Sequence, residues 1–273
     1  MRTSKKTITN TKDDTSWHAV ANWYEKYLGG DDTYHNKVIS PNLARLLGDI
    51  KNKNVLDLAC GTGYFAVQMG QMGANVSGVD AGADLIKVAK DNLNSKIKTS
   101  KAANLNIKYY ISDASNLGML GDNSQDIVLC SLAIQNIENV SATINEVARV
   151  LKQSGRMIII MNHPVLRTPK MSSWGYDKVY NIQYRRLDGY MSESKNKMDM
   201  NPGEATDDKK YTYSFHRPLQ YYFKIFNKCG MCVSRLEEWN SHKKSQKGPK
   251  QKAEDKSRSE FPMFMMLEIV KAK

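Results

Sequence analysis

The sequence predicts an α/β protein built on a mostly parallel sheet with helices on both faces. Three observations carry that prediction. Short apolar runs alternate with segments of helical period from residue 54 to residue 161. The first of those runs passes straight into the glycine-rich turn Cys60-Gly61-Thr62-Gly63, and an acidic residue stands at or near the end of each of the first three. At 273 residues the chain is also long enough to bury one large core without cross-links.

Taken in order, residues 16–29 place Trp17, Val20, Tyr24, Tyr27 and Leu28 at helical spacing, with Gly29-Gly30 as a stop. A second amphipathic segment spans 37–50. Asn54 to Leu58 reads as a strand, 64–72 as a helix, and Asn75 to Val79 as a strand ending at Asp80. The alternation continues with a helix at 82–95, strands at 106–111 and 126–130, a helix at 141–152 and a strand at 156–161. After His163 it fails. Residues 163–215 hold eight aromatics with no clean period, too much ring area for a linker, and read as a lid packed over the strand ends. A helix at 217–228, a strand at 231–236, a polar run at 240–259 and a strand from Met263 to Val270 complete a set of seven strands.

The organisation that follows is a basic tail at 1–14, an N-terminal helical cap at 15–50, a ligand-binding core at 51–162, the lid at 163–215, and a C-terminal part of the core at 216–273. The net charge is +12. Four basic residues and no acid fall in 1–12, and seven basic against three acidic in 239–260. The second cluster reads as a solvated loop or as an electropositive lip for an anionic partner. It lacks the interleaved aromatics that base recognition uses. Four cysteines do not make a disulfide framework, and Cys229-x-x-Cys232 lacks a second pair for zinc. The absence of a long apolar run or an apolar leader makes the cytoplasm the expected location.

The turn after the first strand carries the chemistry. Gly61 and Gly63 let the backbone approach a ligand closely, and the helix that follows offers free N–H groups. A dinucleotide fingerprint would require a third glycine where Ala66 stands, and the lysine of a phosphate loop is absent. Asp57 would repel a pyrophosphate and attract a cationic or zwitterionic ligand. Asp80 is placed to accept both hydroxyls of a ribose, and Asp113 to reach an exocyclic amine or to cap a helix. The pattern describes a nucleoside site without a pyrophosphate clamp.

VLDLACGTGYFA, GVDAGADLIKVAK, SDASNLG, DIVLCSLAIQNI and VARVLKQSGRMIIIMNHP follow one another over residues 54–164, and in order and spacing they resemble the five motifs of the class I S-adenosylmethionine-dependent methyltransferases. The resemblance implies a Rossmann-like seven-stranded sheet with the last strand antiparallel, and S-adenosyl-L-methionine as cofactor. It places Gly61 and Gly63 under the methionine and ribose, Asp57 at the ammonium, and Asp80 on the ribose hydroxyls. Ala81 falls beside the adenine, Asp113 on its amine, Ala114 along its ring, and the Ser131 backbone at the methionine amine. Gln153-Ser154-Gly155 departs from the usual Pro-Gly-Gly turn.

The helical cap and the long insertion resemble the small-molecule branch of that class, the methyltransferase type 11-like enzymes of quinone and natural-product type. Ser131-Leu132-Ala133-Ile134 stands where many amine-directed nucleic-acid methyltransferases carry NPPY or DPPY. The expected activity is therefore methylation of oxygen, nitrogen or carbon on a small acceptor, by a monomer or homodimer. An RNA or protein methyltransferase using the basic 239–260 segment, and a non-catalytic cofactor-binding scaffold, are the alternatives. Candidates on the acceptor side are His163 as general base or backbone clamp, His216 at the opening of a helix, and Tyr34 and His35 in the N-terminal cap.

Overall fold

Strands rich in Val, Leu, Ile and Met, buried on both faces, pair into a central sheet in the computed structural model, which describes residues 30–99, 105–200 and 211–272. The sheet comprises β1 (Asn54–Leu58), β2 (Asn75–Asp80), β3 (Ile107–Ile111), β4 (Gln125–Ser131), β5 (Leu151–Asn162), β10 (Met231–Trp239) and β11 (Phe264–Lys271). Its order is β10-β11-β5-β4-β1-β2-β3. The pairs among β1 to β5 are parallel, and β11 runs antiparallel to both β5 and β10. The seven-stranded, mixed sheet with an antiparallel last strand is the fold the sequence predicts.

Alternate side chains of each strand feed two separate apolar layers, as the two-residue period of a strand requires. On one face Leu56, Leu58, Val128 and Ile159 meet α4 (Val140–Val150) and α5 (Leu219–Lys228). On the other, Val55, Leu129, Ile158 and Ile160 meet α1 (Ser40–Leu47) and α2 (Tyr64–Gln71). The helix α3 (Ala83–Thr99) buries Leu85, Ile86 and Ala89. Asn139 caps α4 by accepting from the Ala142 N–H at 3.0 Å, which closes one of the four free donors of a helix start. Among the described residues no helix is long and apolar enough to cross a membrane. All four cysteines are free thiols.

Two expectations are corrected, and the stretch without a period acquires structure. His216 does not open a helix. It closes β9 (Tyr211–His216), and α5 starts only at Leu219, after Pro218 in an extended conformation. The ring of Pro218 disfavours helical geometry at Arg217, which keeps the strand going to the histidine. The run 240–259 is not simply a loop, because Gln251–Glu260 forms α6. Its buried face holds only Ala253 and Ser257, side chains too small to give a sequence period. The unpatterned stretch 163–215 contains two antiparallel ribbons, β6 (Ser172–Asp177) with β7 (Ile182–Leu187), and β8 (Ser194–Asp199) with β9. The expected helix at 16–29 and the basic tail lie outside the described residues.

The helix α6 lies against the first ribbon. Ser257 donates to the Gln183 carbonyl at 2.8 Å, Phe261 meets Trp174 edge-on at 5.4 Å, and Lys250 sits 4.7 Å from the centre of the Tyr176 ring. At the start of the described chain, a π-helical turn at His35–Ile39 leads into α1. Arg156 of β5 holds the end of α1 by donating to the Leu46 and Leu47 carbonyls, and it pairs with Glu268 of β11 at 3.1 Å.

Phe226 is 1% exposed in the layer between α5 and the sheet. Phe226→Ala should lower unfolding free energy by about 3–5 kcal/mol, through lost burial and the cavity it leaves. Urea denaturation monitored by circular dichroism measures that loss.

Candidate functional site

The order of the sheet reverses between β1 and β4, the point at which open α/β sheets place their ligands, outside the carboxyl ends of the strands. The loops that leave these two strands both begin with a residue in the left-handed region, Ala59 at φ 55° and Leu132 at φ 53°. Side chains with a Cβ occupy that region at a cost, and such strain collects at functional sites. Gly61 (φ 54°) and Gly63 (φ 79°) complete the first turn, with Gly63 at the start of α2. A Cβ on Gly63 would run into the Tyr109 hydroxyl and lie 3.1 Å from Ala89 Cβ, so only glycine fits there.

Two carboxylates face this turn. Asp80 is fixed at both oxygens, accepting from the Gly61 N–H at 2.9 Å and the Gly82 N–H at 2.8 Å. Asp57 is 2% exposed and accepts from the Ala66 backbone, while its Oδ2 has no partner. Burial, reinforced by the charge of Asp80, pushes the Asp57 carboxyl up to about 7. Burial also raises Asp80, against the two backbone donors. Among the described residues neither carboxylate has an ion pair. Thr62 Oγ1 and Ser131 Oγ are buried beside them without hydrogen bonds. Two buried acids with no counter-charge and spare acceptor capacity fit a cationic ligand that also carries hydroxyls.

The remaining residues expected at this cleft are placed as follows. Ala81 is exposed next to Asp80, and Ala114 packs against the apolar layer behind β4. Asp113 Oδ1 accepts from the Ser115 N–H at 2.8 Å and its hydroxyl at 2.5 Å, so one oxygen caps the turn after β3 and the other is open. Ser131 ends β4, immediately before the strained Leu132.

A cavity of about 40 Å³ lies beyond the ends of β4 and β5, walled by Gln135, Asn162, Arg167, Phe215, His216 and Tyr222. His216 is 4% exposed and donates from Nε2 to the Tyr190 carbonyl at 2.8 Å, which leaves the lone pair of the neutral ring on Nδ1. His163 is not on this wall, although Asn162 and Pro164 on either side of it are. Its Nε2–H donates to Glu238 at 2.7 Å, and its Nδ1 accepts from the Leu166 N–H at 3.3 Å. Both nitrogens are occupied, the geometry of a clamp between β5 and β10.

Tyr34 packs edge-on to His242 and Phe264, with its hydroxyl 3.4 Å from Ser241. His35 stacks on Phe65 at 5.8 Å, and burial pushes its imidazole down to about 4, so the ring is neutral at physiological pH. The structure thus gathers Asp57, Gly61, Gly63, Asp80 and Ser131 at one cleft and brings His216 to the neighbouring cavity. Sequence reasoning missed Thr62, Tyr109, Gln135, Arg167 and Arg217. Gln135 lies inside the quoted DIVLCSLAIQNI stretch and was within reach. Arg167 lies in the unpatterned segment and had no local signal.

Comparison with known proteins agrees with this fold. Residues 56–159 match the family model described as a methyltransferase domain. A putative S-adenosylmethionine-dependent methyltransferase from Listeria monocytogenes superposes with a TM-score of 0.63 at 24% identity, over 85% of this chain and 96% of that one. One from Mesorhizobium loti gives 0.64 at 21% identity, over 88% and 98%. A ubiquinone biosynthesis O-methyltransferase from Bartonella tribocorum is 33% identical over 125 residues, 46% of this chain and 45% of that protein. The chain thus spans under half the length of that curated relative. The chain has the fold of the class I S-adenosylmethionine-dependent methyltransferases.

The raised Asp57 makes a prediction about the protein without ligand. Between the ordinary carboxylate range and about pH 7 the folded protein keeps a proton on Asp57 that the unfolded chain has lost. Folding therefore weakens as pH rises through that window. Melting temperature measured from pH 4 to 8 should fall more steeply for the wild type than for Asp57→Asn. Parallel profiles would mean that Asp57 ionises normally.

Proposed function

We propose that the chain transfers a methyl group from S-adenosylmethionine to a hydroxyl of a small acceptor bound in the cavity beyond β4 and β5. The observation that carries this reading is the uncompensated pair Asp57 and Asp80, set one strand away from a separate cavity that holds a histidine. In this reading Asp57 attracts the ammonium of the cofactor and Asp80 accepts the ribose hydroxyls. Gly61 and Gly63 leave room for its backbone approach, and the Ser131 backbone faces the amine. Ala81, Asp113 and Ala114 border the adenine.

When bound, S-adenosylmethionine supplies an electrophilic methyl on a good leaving group, so the protein chiefly aligns the acceptor and manages its proton. His216 is suited to the second task. The Tyr190 carbonyl fixes its tautomer, and the lone pair on Nδ1 is available to take the hydroxyl proton. His163, with both nitrogens engaged, holds β5 against β10. The name of the Bartonella relative supports oxygen as the accepting atom.

A role for the basic 239–260 segment in gripping RNA or protein is the weaker reading, because part of its charge serves internal contacts. Lys243 pairs with Asp32 and Lys250 sits on Tyr176. The intact acidic cleft weighs against a scaffold with no catalytic use. The free thiols are consistent with work in a reducing compartment, the cytoplasm.

A panel of phenols and hydroxy acids assayed with labelled S-adenosylmethionine should yield a methylated product. On the best acceptor His216→Gln should lower the rate by about 100-fold or more, the usual scale for losing a general base. It should also flatten the pH dependence of that rate, with cofactor affinity kept within a few-fold. His163→Asn should instead lower the melting temperature and retain the wild-type pH profile. The reverse result would move the base to His163.

A further inference from the structure

Four arginines lie on or near the cavity, and three of them have partners. Arg217 is 5% exposed and donates to the Ile137 and Glu138 carbonyls at 3.0 and 2.7 Å, which pins the turn after β4. Arg185 donates to the Leu166 carbonyl and the Ser172 hydroxyl, and lies 5.0 Å from the centre of the Trp174 ring. Arg258 donates to the Ser245 hydroxyl at 3.1 Å.

Arg167 is different. Its guanidinium is half-buried on the cavity wall, and among the described residues it has no hydrogen bond and no ion pair. The charges that reach it most strongly are of its own sign, from Arg185 and Arg258, and Tyr34 is the one group acting in the opposite sense. Burial and those neighbours push the Arg167 pKa down, although a guanidinium stays charged in proteins. Its nitrogens reach the cavity rather than a protein acceptor, and with a like charge as its strongest neighbour the guanidinium favours an anion there. The fold keeps it there, between Pro164 and Pro169 on the segment that leaves β5.

We propose that Arg167 is the acceptor's anchor and that the acceptor carries a carboxylate, gripped by the guanidinium while the reacting hydroxyl lies nearer His216. This rests on the methyl-transfer reading above and narrows its substrate class to small hydroxy acids. The planar fork of an arginine matches a carboxylate with two parallel N–H···O bonds. A cavity of about 40 Å³ suits one compact anionic group with the rest of the acceptor directed toward the cofactor cleft. Phe215 and Tyr222 on the same wall offer ring surface to an aromatic body.

The test is binding, measured apart from turnover. Titration calorimetry on the protein saturated with S-adenosylhomocysteine compares 3,4-dihydroxybenzoate, its uncharged amide and catechol phosphate. The wild type should bind the carboxylate at least 10-fold more tightly than the amide. Arg167→Gln should erase that ratio and Arg167→Lys should keep part of it, with S-adenosylhomocysteine affinity as the check that each variant is folded. Equal binding of carboxylate and amide by the wild type, or an undiminished ratio in Arg167→Gln, overturns the proposal. Tighter binding of the phosphate than of the carboxylate overturns the carboxylate assignment. An Arg167-dependent preference for the carboxylate, in a protein that methylates none of the panel, upholds the anchor and counts against the methyl-transfer reading instead.

Discussion

Two acids set close together in a buried turn, with no basic partner among the described residues, are the constraint on which the rest of this structure depends. Asp57 and Asp80 are held by backbone rather than by side chains, Asp80 by the N–H groups of Gly61 and Gly82 and Asp57 by that of Ala66. That arrangement requires the chain to turn through left-handed geometry at Ala59, Gly61 and Gly63. It also requires β1 and β2 to be neighbours in register, with Asp57 paired to Gly78 and Leu58 to Val79. The apolar layers on either side of the sheet supply the burial free energy that holds two repelling charges in place.

The cavity next door is built on another principle. The end of β5 contributes Met161 and Asn162, and the other walls come from segments far apart in sequence, Gln135 after β4 and Phe215 and His216 of β9. Of the two arginines on its wall, Arg217 is satisfied by the Ile137 and Glu138 carbonyls, with the Phe215 and Tyr221 rings against it. The acidic turn and the arginine-lined cavity therefore differ in electrostatic character. A zwitterionic or cationic molecule suits the first and an anion the second.

How much of this was legible in the sequence depended on how local each signal was. The strands β1 to β5, the glycine turn and the positions of Asp57 and Asp80 follow from periodicity and from a turn whose glycines and acids are close in sequence. The first ribbon left no period because its strands expose both faces in part, with Ile182 54% and Leu187 36% exposed on opposite faces of β7, so apolar and polar residues do not alternate. The helix α6 was hidden by a buried face of only Ala253 and Ser257. His163 and His216 could not be distinguished before the fold was known. Which imidazole faces the cavity depends on the strand pleat at one and on Pro218 at the other.

The placement of β11 has a consequence for how the protein comes to be folded. This strand follows every other strand in the chain, yet it lies inside the sheet, bonded to β5 on one side and β10 on the other. Until it is in place, β5 presents an open, strongly apolar edge in which Met157 to Met161 are all essentially buried in the final state. Such an edge is a template for pairing with any passing strand. A chain emerging from the ribosome must therefore protect β5 for as long as it takes to synthesise about a hundred further residues. The sheet is completed from the inside last, so its hazard of misassociation is greatest late in synthesis.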